Sequence, residues 1–389
     1  MKVLMLDPSG STVQVTHNLA NALAEQGCEV HVYTSPYWAR GMERCKKKYT
    51  EHVFFSRRTQ FRAYEANSGV ARGFWKAARF LNHAWNMLRL VRIARDYDLV
   101  HAHILTIAAF DGPCLRLIAR RTPVAYTAHE LLPHDTRQVK LKSAILRLLY
   151  KVPSLFFVHN AATEEGLVRR FNVPAEKIVR IPHGSLQHLL ELPISWKADS
   201  NSSRTLLFLG KIRRDKGLDT LLEAAVLLRD RGIPFRLLVA GYPNINMEPF
   251  LNFVREKSVE SQVEFRLGYI EETELVNLFA EATVVVLPYR NVAQSGVAIG
   301  ACTMGKAIVA TGIGGLREMV EEAKNGRLIA VDNPRELADA VADLLANSQL
   351  RREMEANSRT YAANQLSWRP IASTTVAAYK SVTVENRSK

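Results

Sequence analysis

Cysteine is scarce in this chain. The four present, Cys28, Cys45, Cys114 and Cys302, stand far apart with no CxxC pair, which excludes a disulfide scaffold and a zinc ribbon and suits a reducing cytosol. Long apolar runs are missing too. The opening MKVLML meets Asp7 after only a few apolar residues, too short for the core of a signal peptide, and no window of about eighteen apolar residues is present for a spanning helix. A Walker loop is also absent, since no Gly-Lys-Ser/Thr closes a Gly-x4 spacing. A cytoplasmic protein is expected.

What is present is a chain of 389 residues, 47% hydrophobic and 23% charged, long enough for two lobes and close to ordinary globular usage. Net charge is +14, and its distribution is one-sided. Residues 1–190 hold 27 Lys+Arg against 14 Asp+Glu, and residues 191–389 hold 25 against 24. A basic first half draws in anions: nucleic acid, a phosphorylated small molecule or an anionic membrane face.

Short apolar runs recur with helical patterns between them. Lys2–Leu6, 29–33, 99–103, 123–127 and 154–158 predict parallel strands of a first Rossmann-like lobe, spanning 1–185. Residues 186–203 lose the pattern and end in Asp-Ser-Asn-Ser-Ser, which predicts a linker. Runs at 205–209, 235–240, 263–265, 282–287 and 307–310, with helical patterns over 216–231, 271–280 and 334–346, predict a second such lobe over 204–366. Ligands of doubly wound sheets sit beyond the carboxyl ends of their strands, so a cleft between two lobes is the expected site.

Several segments at those strand ends carry chemistry. Gly210-Lys-Ile-Arg-Arg-Asp-Lys-Gly217 places four cations between a strand and a helix start, where cations and helix-start N–H groups would hold a phosphate or pyrophosphate. A solvated basic turn is the plainer reading. Gln294-Ser-Gly-Val297 likewise follows a strand, and its peptides are candidates to bind a second anion. The cluster at 311–315, Thr-Gly-Ile-Gly-Gly, reads equally as a tight strand-to-helix turn. His129 falls at a strand's carboxyl edge. Zinc is not expected there, because His134 comes one residue too late for a zincin pair and Pro133 breaks the helix such a pair needs. His101 and His103 read as structural.

Residues 36–95 interleave rings with cations. Lys46, Lys47, Lys48, Arg57 and Arg58 read as an anionic-lipid docking patch, with stacking of single-stranded nucleic acid as the other reading. Helical spacing also allows Phe74, Leu81, Trp85 and Leu88 to be ordinary core positions.

Taken together these motifs resemble the family 4 glycosyltransferases of GT-B fold over nearly the whole chain. Phe208-Leu-Gly-Lys-Ile-Arg-Arg-Asp-Lys-Gly217 is similar to that family's strand followed by G-R-x4-K-G, whose Arg and Lys bind a nucleotide-sugar diphosphate. Lys211 occupies the Arg position, a point charge where the family has a fork, and Lys216 matches the Lys; Arg213 or Arg214 stands near to compensate. The resemblance assigns nucleobase reading to the backbone at Gly268 and Tyr269, donor contacts to Gly210, Gln294, Ser295, Gly296, Val297 and Glu318, and a sugar-facing role to His129 in Thr127-Ala-His129. Ser9, Gly10 and Ser11 replace the family's double glycine on the acceptor side. Ile181-Pro-His-Gly184 closes the first lobe, and Ser367-Trp-Arg-Pro-Ile371 opens a terminal helix, 367–389, that returns to it.

One departure stands out. The family's E-x7-E glutamates fall on Val292 and Gly300, and the sequence instead resembles a Q-S-G-V subgroup. The resemblance implies retaining transfer from a nucleotide-diphosphate sugar to a glycan or lipid-linked acceptor at the cytoplasmic membrane face. It implies no bound metal or other cofactor, an anionic membrane surface as partner, and no nucleic acid. The alternatives are a GT-B epimerase or phosphorylase, and a degenerate GT-B protein that binds nucleotide or membrane without transfer.

Overall fold

In the computed structural model of the chain, residues 1–10, 12–36, 45–55, 69–129, 139–195, 204–292 and 294–387 are described. Ser11, Arg57, Arg58 and His134 lie outside them, as does the second half of the expected linker, 196–203. The chain divides into two units, 1–184 with 368–389, and 185–367.

In the first unit, Val3, Leu4, Met5 and Leu6 of strand β1 (Lys2–Asp7) are fully buried. A strand apolar on both sides fits only the middle of a sheet covered on both faces. β1 accordingly lies between β2 (Glu29–Thr34) and β4 (Leu99–Ala102) in a parallel sheet of order β3-β2-β1-β4-β5-β6-β7. The other strands are β3 (Thr50–Val53), β5 (Val124–Thr127), β6 (Leu155–Val158) and β7 (Ile178–Arg180). Helices α1 (Val13–Glu25), α2 (Gly69–Ile93), α3 (Ala108–Ile118), α4 (Val139–Leu149) and α5 (Ala161–Phe171) alternate with them. Local chemistry sets the ends of α5: Asn160 accepts the Thr163 N–H at 2.8 Å, and Asn172 closes the helix at φ 55°.

The last helix of the chain, Trp368–Arg387, completes this unit. Its Trp368, Ile371, Ala372 and Tyr379 join the core under α1 and the sheet. The Tyr379 hydroxyl meets His101 Nδ1 at 2.6 Å, and Thr127 Oγ1 meets His101 Nε2 at 2.7 Å. His101 is therefore a doubly bonded core residue.

α2 departs from the core reading of its apolar positions. Phe74, Leu81, Trp85 and Leu88 do share one face, but that face is exposed, at 64%, 66%, 63% and 49%. The face turned inward carries His83, Asn86, Met87 and Leu90, with His83 bonded to Asp111 Oδ1 at 2.6 Å. Periodicity identified the stripe and mistook which side of the helix the core takes. Among the described residues no helix is long and apolar enough to cross a membrane.

The second unit repeats the architecture with order β10-β9-β8-β11-β12-β13, all parallel. Its strands are β8 (Thr205–Leu209), β9 (Arg236–Gly241), β10 (Val263–Leu267), β11 (Val284–Leu287), β12 (Ala307–Thr311) and β13 (Gly326–Ile329). Between and after them run α6 (Leu218–Asp230), α7 (Glu248–Glu256), α8 (Glu272–Glu281), α9 (Gly296–Thr303), α10 (Gly314–Ala323), α11 (Pro334–Ala346) and α12 (Ser348–Asn364). Part of the span expected as linker packs here: Gln187–Glu191 forms a 3-10 turn whose buried His188 Nε2 lies 3.0 Å from Glu272 Oε2.

Gly184 has φ +78°, and a Cβ built on it falls 2.3 Å from the Trp368 ring. Gly184→Ala therefore combines a strained backbone with a clash, and Trp368→Ala leaves a cavity at the same joint. Trp368→Ala is expected to cost about 3–5 kcal/mol in chemical denaturation; an unchanged midpoint would mean that the terminal helix is not held by this contact.

Candidate active site

In a doubly wound sheet the crevice opens where the chain reverses its direction of travel across the strands. In the second unit that point lies between β8 and β11, because the chain goes outward from β8 through β9 and β10 before returning. The segments leaving these two strands are Gly210–Gly217 and Pro288–Ser295. They are joined at backbone level: the Arg290 N–H donates to the Asp215 carbonyl at 2.8 Å. Gly217, at φ +67°, leaves no room for a side chain, since a Cβ there would sit 2.0 Å from the Pro288 carbonyl oxygen. Gly210 faces Val297, whose side chain would lie 3.4 Å from a Cβ built at 210.

Arg290 fastens the pair further. Its guanidinium bonds Asp219 at 2.8 Å, Asp332 at 2.6 Å and the Arg214 carbonyl at 2.8 Å, so a cation that sequence reasoning passed over holds the first loop against the second. Arg213 is similarly occupied, through a two-pronged contact with Asp215 at 2.9 and 2.6 Å. It is thus a brace of the loop, and its guanidinium is turned to Asp215 instead of compensating for the lysine at 211.

The two lysines differ in setting. Lys211 is exposed at the mouth of the turn. Lys216 places its ammonium 3.6 Å from the centre of the buried Tyr289 ring, a cation–π contact that fixes where the charge sits. Burial pushes the Tyr289 phenol up to about 12, and its hydroxyl bonds Ser295. Ser295 also caps α9, accepting the Ala298 N–H at 3.3 Å. The Gly296 and Val297 amides are the remaining first-turn groups outside the helical ladder. One chain of contacts thus runs Lys216–Tyr289–Ser295–α9, putting a cation and a helix N-terminus on neighbouring strand ends.

Other expected donor residues spread along the same sheet edge. Gly268, at φ +146°, donates its N–H to the Gly241 carbonyl at 3.1 Å, and Tyr269 beside it is exposed. Glu318 is exposed in the second turn of α10. Gln294 immediately precedes the Ser295 cap.

The first unit has its own reversal point, between β1 and β4. Here Asp7, fully buried, organises the turn at Ser9 and Gly10: it accepts from the Gly10 N–H at 3.0 Å, the Ser9 hydroxyl at 3.2 Å and the Thr12 hydroxyl at 3.2 Å. Burial raises its carboxyl above the usual range, opposed by those bonds. Further along the edge, His129 follows β5 and faces His159 and His183, with ring centres 5.1 and 6.1 Å away. The expected lipid patch is partly spent internally: Lys47 pairs with Glu51 at 2.8 Å and Lys48 with Glu25 at 2.6 Å, and the Lys46 carbonyl accepts from Asn21.

Residues 12–185 match the model of Glycosyltransferase Family 4, and residues 194–361 match that of Glycosyl transferases group 1. The chain belongs to this glycosyltransferase family. A D-inositol 3-phosphate glycosyltransferase of Corynebacterium aurimucosum is 26% identical over 394 residues, covering 94% of this chain and 89% of the relative. Sucrose-phosphate synthase from Thermosynechococcus elongatus superposes with a TM-score of 0.71 at 18% identity, over 99% of this chain and 100% of that one. Anabaena HepE in complex with UDP-glucose gives 0.68 at 18%, over 98% and 100%. The fold is GT-B, with two Rossmann-like parallel-sheet units.

One of the two missing glutamates, at position 300, has a physical setting. A Cβ at Gly300 would lie 2.7 Å from the Phe279 ring and 3.4 Å from Leu186, so α9 is packed too tightly here for an acidic side chain. Replacing Arg290 by Met removes the three-way brace while keeping the stem. Amide hydrogen exchange at Lys216 and Gly217 is then expected to accelerate by about tenfold or more, in line with the loss of about 1–3 kcal/mol that unpaired carbonyl and carboxylate partners bring. Unchanged protection there would show that the backbone bond alone holds the loops.

Proposed function

We propose that this glycosyltransferase takes a sugar from a nucleoside-diphosphate donor bound at the β8/β11 edge and passes it, with retained configuration, to a glycan or lipid-linked acceptor at a membrane surface. The observation that carries the reading is the convergence of Lys216, exposed Lys211 and the α9 N-terminus on adjacent strand ends. As the glycosidic bond breaks, negative charge grows on the departing diphosphate. Fixed cations and helix-start amides meet that charge without reorganising, and in many enzymes such preorganised electrostatics supply most of the rate enhancement. Protein groups do this work in place of a divalent ion. The UDP-glucose complex of the GT-B neighbour HepE supports a nucleotide-sugar donor, and Gly268 with Tyr269 is then the place to receive the base. His129 is assigned to the transferred sugar, and the Asp7-held turn at Ser9 and Gly10 to the acceptor.

Membrane contact moves, in this reading, from the lysines at 46–48 to α2. Its exposed Phe74, Leu81, Trp85 and Leu88 stand on a helix whose sequence holds five cations and no carboxylate. Apolar side chains enter the headgroup boundary and cations remain with the lipid phosphates, the pattern of an interfacial helix.

Two measurements check this reading. Lys216→Met keeps the stem over Tyr289 and removes the charge. Release of nucleoside diphosphate, scored with a panel of UDP-, GDP- and dTDP-sugars and membrane lipid extract, is expected to fall about 10²- to 10³-fold, the loss seen when one transition-state donor is removed, with the melting temperature little changed. No turnover by the unaltered chain, or an active Lys216→Met, contradicts the assignment. Separately, Leu81→Glu with Trp85→Glu is expected to abolish sedimentation with phosphatidylglycerol vesicles, and retained binding would remove α2 from the membrane.

A further inference from the structure

We propose that His129, His159 and His183 form a binding site for a divalent transition-metal cation of zinc's chemistry. The site draws only on the first unit's sheet and shares His129 with the sugar-facing role proposed above, so cobalt binding is scored separately from transfer. Neighbouring parallel strands β4, β5, β6 and β7 each lead into a histidine at the carboxyl edge: His103, His129, His159 and His183. Residues distant in sequence are thereby gathered side by side, in a spacing that no linear ligand motif describes.

One ring nitrogen from each of His129, His159 and His183 lies within 4.8 Å of the other two, and the ring centres are 5.0 to 6.1 Å apart. Tetrahedral zinc with bonds of about 2.0–2.1 Å asks for nitrogens roughly 3.4 Å apart, a closing movement within reach of side-chain rotation. The tautomer at His159 is already set: its Nδ1–H donates to the Ile181 carbonyl at 3.2 Å, leaving the lone pair on Nε2, as metal-binding imidazoles are ordinarily oriented. His129 Nε2 and His183 Nδ1 are buried with no hydrogen-bond partner. Neutral nitrogens buried without partners are costly in a core, and a cation would satisfy them. Burial also holds these imidazoles below their ordinary range, to about 4 at His159 and, with the His159 ring adding to the effect, about 3 at His183, so each offers a lone pair at neutral pH.

The donor set selects the ion. Among the described residues the cluster holds three imidazoles and no carboxylate, a set that suits zinc, copper, nickel or cobalt and disfavours magnesium and calcium. Three protein ligands leave a fourth position for water or a ligand hydroxyl, the arrangement of open zinc sites. Along the sequence His129 has only His134 nearby, one residue too late for a zincin pair and directly after Pro133. The partners the fold supplies are on the next two strands.

The test uses untagged, chelator-stripped full-length protein titrated with Co2+ and watched for the visible d–d bands of a four-coordinate cobalt–imidazole site, with Zn2+ as competitor. The expected result is one Co2+ per chain, displaced by Zn2+. Altering only the groups that hydrogen-bond a metal's ligands weakens such sites by roughly 10- to 100-fold, so losing a ligand outright, as in His159→Ala or His183→Ala, is expected to weaken binding by more than about 100-fold. His183→Gln preserves volume if the alanine variant fails to fold. His52→Ala controls for the separate His31–His52 pair, 3.0 Å apart, and is expected to bind normally. Absence of a stoichiometric cobalt spectrum, binding that survives in the His159 and His183 variants, or binding lost with His52→Ala would each overturn the site.

Discussion

A single backbone hydrogen bond, from the Arg290 amide to the Asp215 carbonyl at 2.8 Å, joins the two loops on which the proposed donor site depends. It forms because β8 and β11 are neighbours in the sheet, although two other strands, β9 and β10, come between them in the chain. Without that adjacency Lys216 has no Tyr289 ring to sit over, and the α9 N-terminus has no cation beside it. The glycine at 217 and the Arg290 brace both serve the same approach: one lets the backbones touch, the other keeps them there.

Much of this was legible in the sequence, for a physical reason. Central parallel strands are buried on both faces, so β1, β8, β11 and β12 read as unbroken apolar runs. Three of the four edge strands, β3, β7 and β13, are half-exposed and mixed in composition, and they left no comparable trace. The Gly210–Gly217 loop stood out because its glycines and cations are consecutive. Arg290, Asp7, His159 and His183 did not, because each acquires its meaning from a strand or loop distant in the chain. α2 shows the limit of periodicity: the spacing of Phe74, Leu81, Trp85 and Leu88 defines a face, and only the packing of His83, Met87 and Leu90 determines that the other face is inside.

The two units use one architecture for different chemistry. At the reversal point of the first, a buried carboxylate, Asp7, shapes a small turn, and neutral imidazoles line the neighbouring strand ends. At that of the second, cations and helix amides predominate. The division fits a protein whose second unit receives a diphosphate and whose first unit handles uncharged hydroxyl groups.

The proposed mechanism centres on a diphosphate held at the β8/β11 edge, and a crystal structure of the chain with a bound nucleoside diphosphate tests it most directly. Phosphate oxygens are expected at about 2.7–2.9 Å from Lys216 Nζ, the charge-assisted distance, with the Gly296 and Val297 amides also in contact. A diphosphate bound elsewhere, out of contact with Lys216, would contradict it.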